Sequence, residues 1–316
     1  MIDVNLAYSN IKEIVYKTPL DKAISISDAE NEVYLKKECL QPVKSFKLRG
    51  AMNRMLSLSD DEKKKGVVTI SSGNHGLSVS YCAKLLGINK AIIIVPGITP
   101  KAKTDAIKKY GGEVIFLGDN YDEAHTMGEE YVERSGMTYI DPYDKDPLVY
   151  AGQGTVGLEI MMEQPEIESI LVPVGGGGLI TGVAYGAKLI KPSVRIIGVQ
   201  TEACPAMKAS INDNFCYKQY PNDESICEAL IGGIGELAYE SKDECIDDVV
   251  LVSERSITEA VAFLALKEKV IVEPSGAVSV AAVLNDKRRF GNKVACVLSG
   301  GNIDEKLFTD IIKSHG

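Results

Sequence analysis

Over most of the chain, short apolar runs alternate with segments whose apolar residues recur every three to four positions. Val67-Val-Thr-Ile70, Ala91-Ile-Ile-Ile-Val95, Glu113-Val-Ile-Phe-Leu117 and Met137-Thr-Tyr-Ile140 have the length and β-branched content of strands. Between them, residues 77–86, 99–110 and 121–135 carry helical spacing and stop at glycine. Ser59-Asp-Asp-Glu62 is a capping box, and Gly66 closes the short helix it starts. The alternation resumes after Gly152-Gln-Gly154, with a helix over about 155–163 and strands at 169–174, 195–200, 249–253 and 293–298. Helices intervene near 179–189, 256–267 and 275–284. Continuous apolar strands separated by amphipathic helices predict the α/β class, with mostly parallel sheets covered by helices. Residues 142–147 read as a linker. The least regular stretch, 212–239, reads as a surface excursion.

Composition narrows the function classes. The chain has 316 residues, 45% hydrophobic and 25% charged, enough for one large globular domain or two of ordinary size. Its formal net charge is −9, and no basic stripe is present, which argues against nucleic acid and anionic membranes as partners. No run reaches transmembrane length, and Asp3 stands where a secretory leader would carry basic residues. The 7 cysteines are widely spaced with no C-x-x-C, the pattern of free thiols in a reducing, cytoplasmic setting. With 3 histidines, no zinc site is expected. His125, with Asp122 and Glu129 at helical spacing, reads as a solvated ion-pairing residue.

The most informative chemistry is Gly175, Gly176, Gly177 and Gly178, set between the apolar run Ile170-Leu-Val-Pro-Val174 and a helix-like segment. A strand running through glycines into a helix suits an anion: backbone N–H groups approach closely, and the helix presents its positive end. A tight turn that binds nothing needs fewer glycines. A dinucleotide fingerprint fails at Ile180, and a P-loop fails because Val183 and Ala184 follow Gly182. Glycine-rich segments follow strand ends at Ser71-Ser-Gly-Asn-His-Gly76, Gly152-Gln-Gly154, glycines 175–178 and Ser299-Gly-Gly-Asn302. Ligands of open α/β sheets bind beyond the carboxyl ends of strands, so these loops are expected around one crevice. Val43-Lys-Ser-Phe-Lys-Leu-Arg-Gly-Ala51, taken alone, reads as a basic surface helix start. Combination changes that reading. A phosphorylated aldehyde cofactor needs a phosphate cradle, an amine, a donor to its phenolic oxygen and a partner for its ring nitrogen. Glycines 175–178, Lys47, Asn74 and Ser299 supply all four.

Ser45-Phe-Lys-Leu-Arg-Gly-Ala51, Ser71-Ser-Gly-Asn-His-Gly76, glycines 175–178 and Ser299-Gly-Gly-Asn302, in this order and spacing, resemble the serine/threonine dehydratase and serine racemase family. The resemblance runs from Thr18-Pro-Leu20 to about Leu307. It implies the tryptophan-synthase β-like fold, fold type II: two open, mostly parallel α/β domains with pyridoxal 5'-phosphate in the cleft between them. The large cofactor-binding domain is expected at 1–52 and 146–316, and the small mobile domain at 53–145. By the resemblance, Lys47 holds the cofactor as a Schiff base and takes the substrate α-proton. Phe46 packs on the ring, Asn74 bonds the phenolic oxygen, Gly175, Gly176, Gly177 and Gly178 bind the phosphate, and Ser299 faces the ring nitrogen. Ser71, Ser72, Asn74 and His75 form the loop for the substrate carboxylate. Glu273 lies near the ring edge or caps a strand end. A homodimer is the family expectation.

The activity so implied is an ammonia-lyase (dehydratase) turning L-threonine, L-serine or another β-hydroxy amino acid into a 2-oxo acid and ammonia. A hydroxyl partner such as Ser299 does not keep the ring nitrogen protonated, which favours prompt β-elimination. The alternatives are an amino acid racemase with side dehydratase activity, using Ser72 as the second base, and a non-catalytic pyridoxal-phosphate or amino acid sensor. Ser225-Ile-Cys-Glu-Ala229 replaces the family's Thr-Ile-Ala-Asp-Gly, which opens the substrate choice. Gln200 and Ala206 stand where racemase-type members hold a divalent cation, so no metal is expected.

Overall fold

The computed structural model describes residues 1–315, with backbone alone at Tyr121 and Asp122. Its strands are β1 (Leu20–Lys22), β2 (Glu32–Lys36), β3 (Val67–Ile70), β4 (Ala91–Val95), β5 (Glu113–Phe116), β6 (Thr138–Tyr139), β7 (Ser169–Pro173), β8 (Arg195–Thr201), β9 (Asp248–Val252) and β10 (Lys293–Val297). Internal contacts divide the chain into two compact units, Met1–Phe46 with Tyr143–Gly316, and Lys47–Pro142. The sequence-based divisions lay at 52/53 and 145/146. Contacts put Lys47 in the smaller unit, because it opens the helix Lys47–Leu56, which packs on the helix Asn74–Leu85.

The smaller unit is built on a parallel sheet in the order β5-β4-β3-β6, with Val68 opposite Ile92 and Tyr139. Every residue of β3 and β4 is buried, which is why these strands read as unbroken apolar runs. The capping box is formed: Ser59 Oγ accepts from Glu62 N–H, and Glu62 Oε2 accepts from Ser59 N–H at 2.8 Å. The helix expected from 77 begins at Asn74, so the Ser71-Ser-Gly-Asn-His-Gly76 motif is half loop and half first helical turn.

The larger unit has six strands in the order β1-β2-β10-β7-β8-β9, all neighbours parallel except β1 and β2. Successive residues of β7 feed different cores: Leu171 joins Val33, Ile197 and Val278, whereas Ile170 and Val172 join Ile180, Val183 and Ile196. That alternation is a sheet buried on both faces. The first helix, Val4–Ile11, capped by Asp3 Oδ1 on Leu6 N–H, and the pair β1–β2 were not marked by the apolar pattern.

Gly152-Gln-Gly154 is not a loop. The helix Pro147–Glu163 starts at Asp146, whose carboxylate accepts from Leu148 N–H, and runs straight through both glycines. The reason is close packing against the helix Gly178–Lys188. A Cβ on Gly182 would sit 2.6 Å from Tyr150 O and 2.8 Å from Gly154 N, and one on Gly154 would sit 2.9 Å from Gly182 O. The two backbones touch where side chains would hold them apart. Residues 142–147 accordingly end in a helix cap. Among the described residues, no helix is long and apolar enough to cross a membrane.

Candidate active site

In the larger unit, β7 ends at Pro173 and the helix Gly178–Lys188 begins after Val174-Gly-Gly-Gly177. Gly177 caps that helix in the left-handed region, φ +94°, with no side-chain hydrogen bond at the cap. Consequently the N–H groups from Gly175 to Ile180 find no partner among the described residues. Packing also demands the small residues. A Cβ on Gly175 would lie 2.8 Å from Ala229 O, one on Gly177 2.5 Å from Ala238 Cβ, and one on Gly176 would enter the Tyr143 ring. The result is a row of backbone donors at the positive end of an 11-residue helix, which suits a phosphate.

The Ser299 loop lies in the same unit. Ser299 follows β10, is 4% exposed, and its carbonyl accepts from Phe46 N–H at 3.1 Å. Ser45 forms a bridge with Gly300, and Phe46 packs on the core containing Tyr150 and Leu179. Lys47 is the next residue along the chain. Glu273 stands at the start of the helix Pro274–Asp286 but does not cap it through its side chain. Its N–H donates to Gly300 O at 3.0 Å and its Oε2 accepts from Asn302 N–H at 3.1 Å, so it braces the Ser299-Gly-Gly-Asn302 loop.

In the smaller unit, Lys47 contradicts the surface reading of its basic motif. The residue is half-buried, but its amine is enclosed; loss of hydration is the main influence and lowers its pKa to about 8, against an opposing pull from Asp141. Lys47 Nζ donates to Pro142 O at 2.8 Å. Arg49, two residues later, is fully buried. His75 is 2% exposed; burial and the Lys47 charge push its pKa down to about 3, so the ring is neutral. Its Nε2 is 2.9 Å from Ile140 O. A carbonyl only accepts, so Nε2 carries the proton and Nδ1, which has no partner, is a bare acceptor. A substrate carboxylate gains nothing from such a ring. The N–H groups of His75 and Gly76 have no partner among the described residues and point the helix N-terminus at any nearby anion. Ser71, Ser72 and Asn74 are half-buried on the same turn, and Ser71 Oγ accepts from Gly73 N–H at 3.4 Å.

Asp141 was not singled out in the sequence. It immediately precedes the 142–147 stretch that reads as a linker; the signal was its place just beyond β6, at a carboxyl strand end. The Tyr143 ring lies against Gly176. Gly152-Gln-Gly154 leaves the candidate site for helix packing. Gln200 spends its amide on backbone: Oε1 accepts from Lys208 N–H, and Nε2 is 3.4 Å from Val174 O. His125 Nδ1 is 3.7 Å from Glu129 Oε1, while the side chain of Asp122 lies outside the described residues.

These features define a phosphate cradle and a desolvated lysine on an α/β scaffold, and the chain belongs to the family described as pyridoxal-phosphate dependent enzymes, whose sequence model matches residues 11–300. It is 40% identical over 311 residues to the L-threonine ammonia-lyase of Thermotoga maritima, covering 98% of this chain and 77% of that protein. The processed form of threonine deaminase isoform 2 from Solanum lycopersicum superposes with TM-score 0.91 at 35% identity, covering 99% and 93% of the two chains. Maize serine racemase superposes with TM-score 0.89 at 34% identity, covering 99% and 96%. The residues present fit the cofactor: open donors for its phosphate and an amine of lowered basicity for its aldehyde.

Proposed function

We propose that this enzyme is an ammonia-lyase that converts L-threonine or L-serine, or another β-hydroxy amino acid, to a 2-oxo acid and ammonia. The observation that carries the reading is the Lys47 amine, desolvated and held by Pro142 O, in a chain 40% identical to an L-threonine ammonia-lyase. When bound, pyridoxal phosphate supplies an aldehyde for an amine and a conjugated ring that delocalises charge from Cα. Glycines 175–178 would hold its phosphate, Asn74 its phenolic oxygen, and Ser299 its ring nitrogen, while Phe46 would pack on the ring. Glu273 acts through the Ser299 loop it braces. Lys47 takes the α-proton as general base, and the β-hydroxyl leaves with a proton as water. Hydrolysis of the released enamine gives ammonia and the 2-oxo acid. The carboxylate of the substrate sits on the N–H groups at the start of the helix Asn74–Leu85, with the Ser71 and Ser72 hydroxyls beside it; His75 contributes backbone only.

A homodimer in the cytoplasm is part of the same proposal, and the absence of disulfides among its cysteines supports a reducing compartment. The second reading, a racemase, draws support from the likeness to maize serine racemase and from the half-buried Ser72 hydroxyl. The test is ammonia release from serine, threonine and larger β-hydroxy amino acids in both enantiomers. Threonine or serine turnover that vanishes in Lys47→Ala is expected; full activity in that variant overturns the assignment. Ser72→Ala that loses racemisation and keeps elimination makes Ser72 the second base. Cofactor-loaded protein that turns over nothing points instead to a sensor.

A further inference from the structure

The segment just beyond β6 handles both titratable groups of the smaller unit's site. Ile140 O receives His75 Nε2, and Pro142 O receives Lys47 Nζ at 2.8 Å. Asp141 lies between those two carbonyls, 9% exposed, within electrostatic range of both side chains. We propose that Asp141 is the positioning residue for Lys47: its carboxylate is the counter-ion of the amine that Pro142 O holds. This rests on the reading of Lys47 as the cofactor lysine and deepens it.

The physical argument is a balance. An enclosed amine sheds its proton readily, which suits attack on an aldehyde but makes a weak base. A lysine that must also remove an α-proton and carry it as ammonium needs a nearby negative charge. Pro142 O gives direction to the N–H bond but no charge. The helix Lys47–Leu56 also carries Arg49 and Arg54, and the helix packed on it carries His75 and Lys84. None of these supplies a negative charge, and His75 is neutral. Asp141 is a negative charge that opposes desolvation at Lys47.

The test uses the apoprotein, so it reads Lys47 independently of turnover. Modification of Lys47 by dilute fluorodinitrobenzene, quantified by peptide mass spectrometry, is followed from about pH 6 to about pH 10. Capture of added pyridoxal phosphate is followed in parallel by visible absorbance. The wild-type midpoint is expected at about 8. In Asp141→Asn the midpoint falls by about one pH unit, so modification and capture below the wild-type midpoint become faster. Asp141→Glu retains the wild-type midpoint. Should the asparagine variant not fold, Asp141→Ser carries the same expectation. An unchanged midpoint, or lower amplitude with no shift, overturns the proposal and leaves Asp141 a structural role. Wild-type protein that never captures the cofactor on Lys47 refutes the functional reading, while the modification midpoint still decides the role of Asp141.

Discussion

Burial drives Lys47 and His75 in the same direction, and the outcomes differ because their ordinary pKa values differ. Lys47 comes down to about 8, still reversible near neutrality, whereas His75 comes down to about 3 and is locked neutral. His75 therefore has a cost in acid. The unfolded chain takes up a proton at this histidine near 6.5, but the folded chain does so only near 3. Between those values the unfolded state binds the extra proton, so stability falls as pH falls through that window. Urea unfolding of the apoprotein at stepped pH should show a shallower acid loss in His75→Gln than in wild type; equal slopes would remove His75 as a source. At this scale Lys47, the four glycines, Asn74 and Ser299 could be singled out as candidates because their motifs occur together in one order and spacing. Asp141 could not, since its place beside the Lys47 amine and the His75 ring comes only with folding.

The helix pair Pro147–Glu163 and Gly178–Lys188 shows where elements escape the pattern. Strand and helix alternation was readable over most of the chain beyond residue 58, because each buried strand needs an apolar run and each covering helix an apolar face. Gly152-Gln-Gly154 read as a break, since glycine is a poor helix former in isolation. The partner helix reverses that preference, and the partner lies some thirty residues away. A Cβ on Gly157 would meet the Val183 backbone, with its Cα only 3.0 Å away. Gly157→Ala should lower stability by ~1–3 kcal/mol, read as a lower thermal midpoint of the apoprotein. It should also weaken pyridoxal-phosphate binding, because the helix it displaces carries the phosphate donors at its start. A variant that melts earlier but binds the cofactor with unchanged affinity would separate packing from the cradle.

For the whole molecule, the alternation announced the α/β class, while two domains were implied by the family resemblance; neither marked the elements of the first 46 residues, which carry few apolar runs. Those residues join the larger unit through charge as well as sheet pairing. Lys36 on β2 is fully buried, with Nζ 2.6 Å from Glu159 Oε2 and 2.8 Å from Thr18 O, and Glu159 is 2% exposed. Lys36→Met should cost about 3–5 kcal/mol by stranding a buried carboxylate, and adding Glu159→Leu should recover most of it. Denaturant midpoints of the two single variants and the double variant decide this; additive losses would mean the pair is not coupled.

The place of β10 in the larger sheet has a consequence for biosynthesis. β10 is the last strand made, and it stands between β2 and β7, pairing Val294 with both Val33 and Ser169. The smaller sheet is complete once residue 139 has emerged, whereas β2, already paired with β1, must wait until residues 293–297 are made before its second neighbour exists. A ribosome-bound chain thus carries a finished smaller unit flanked by an exposed, unsatisfied strand edge, the kind of intermediate that chaperones bind.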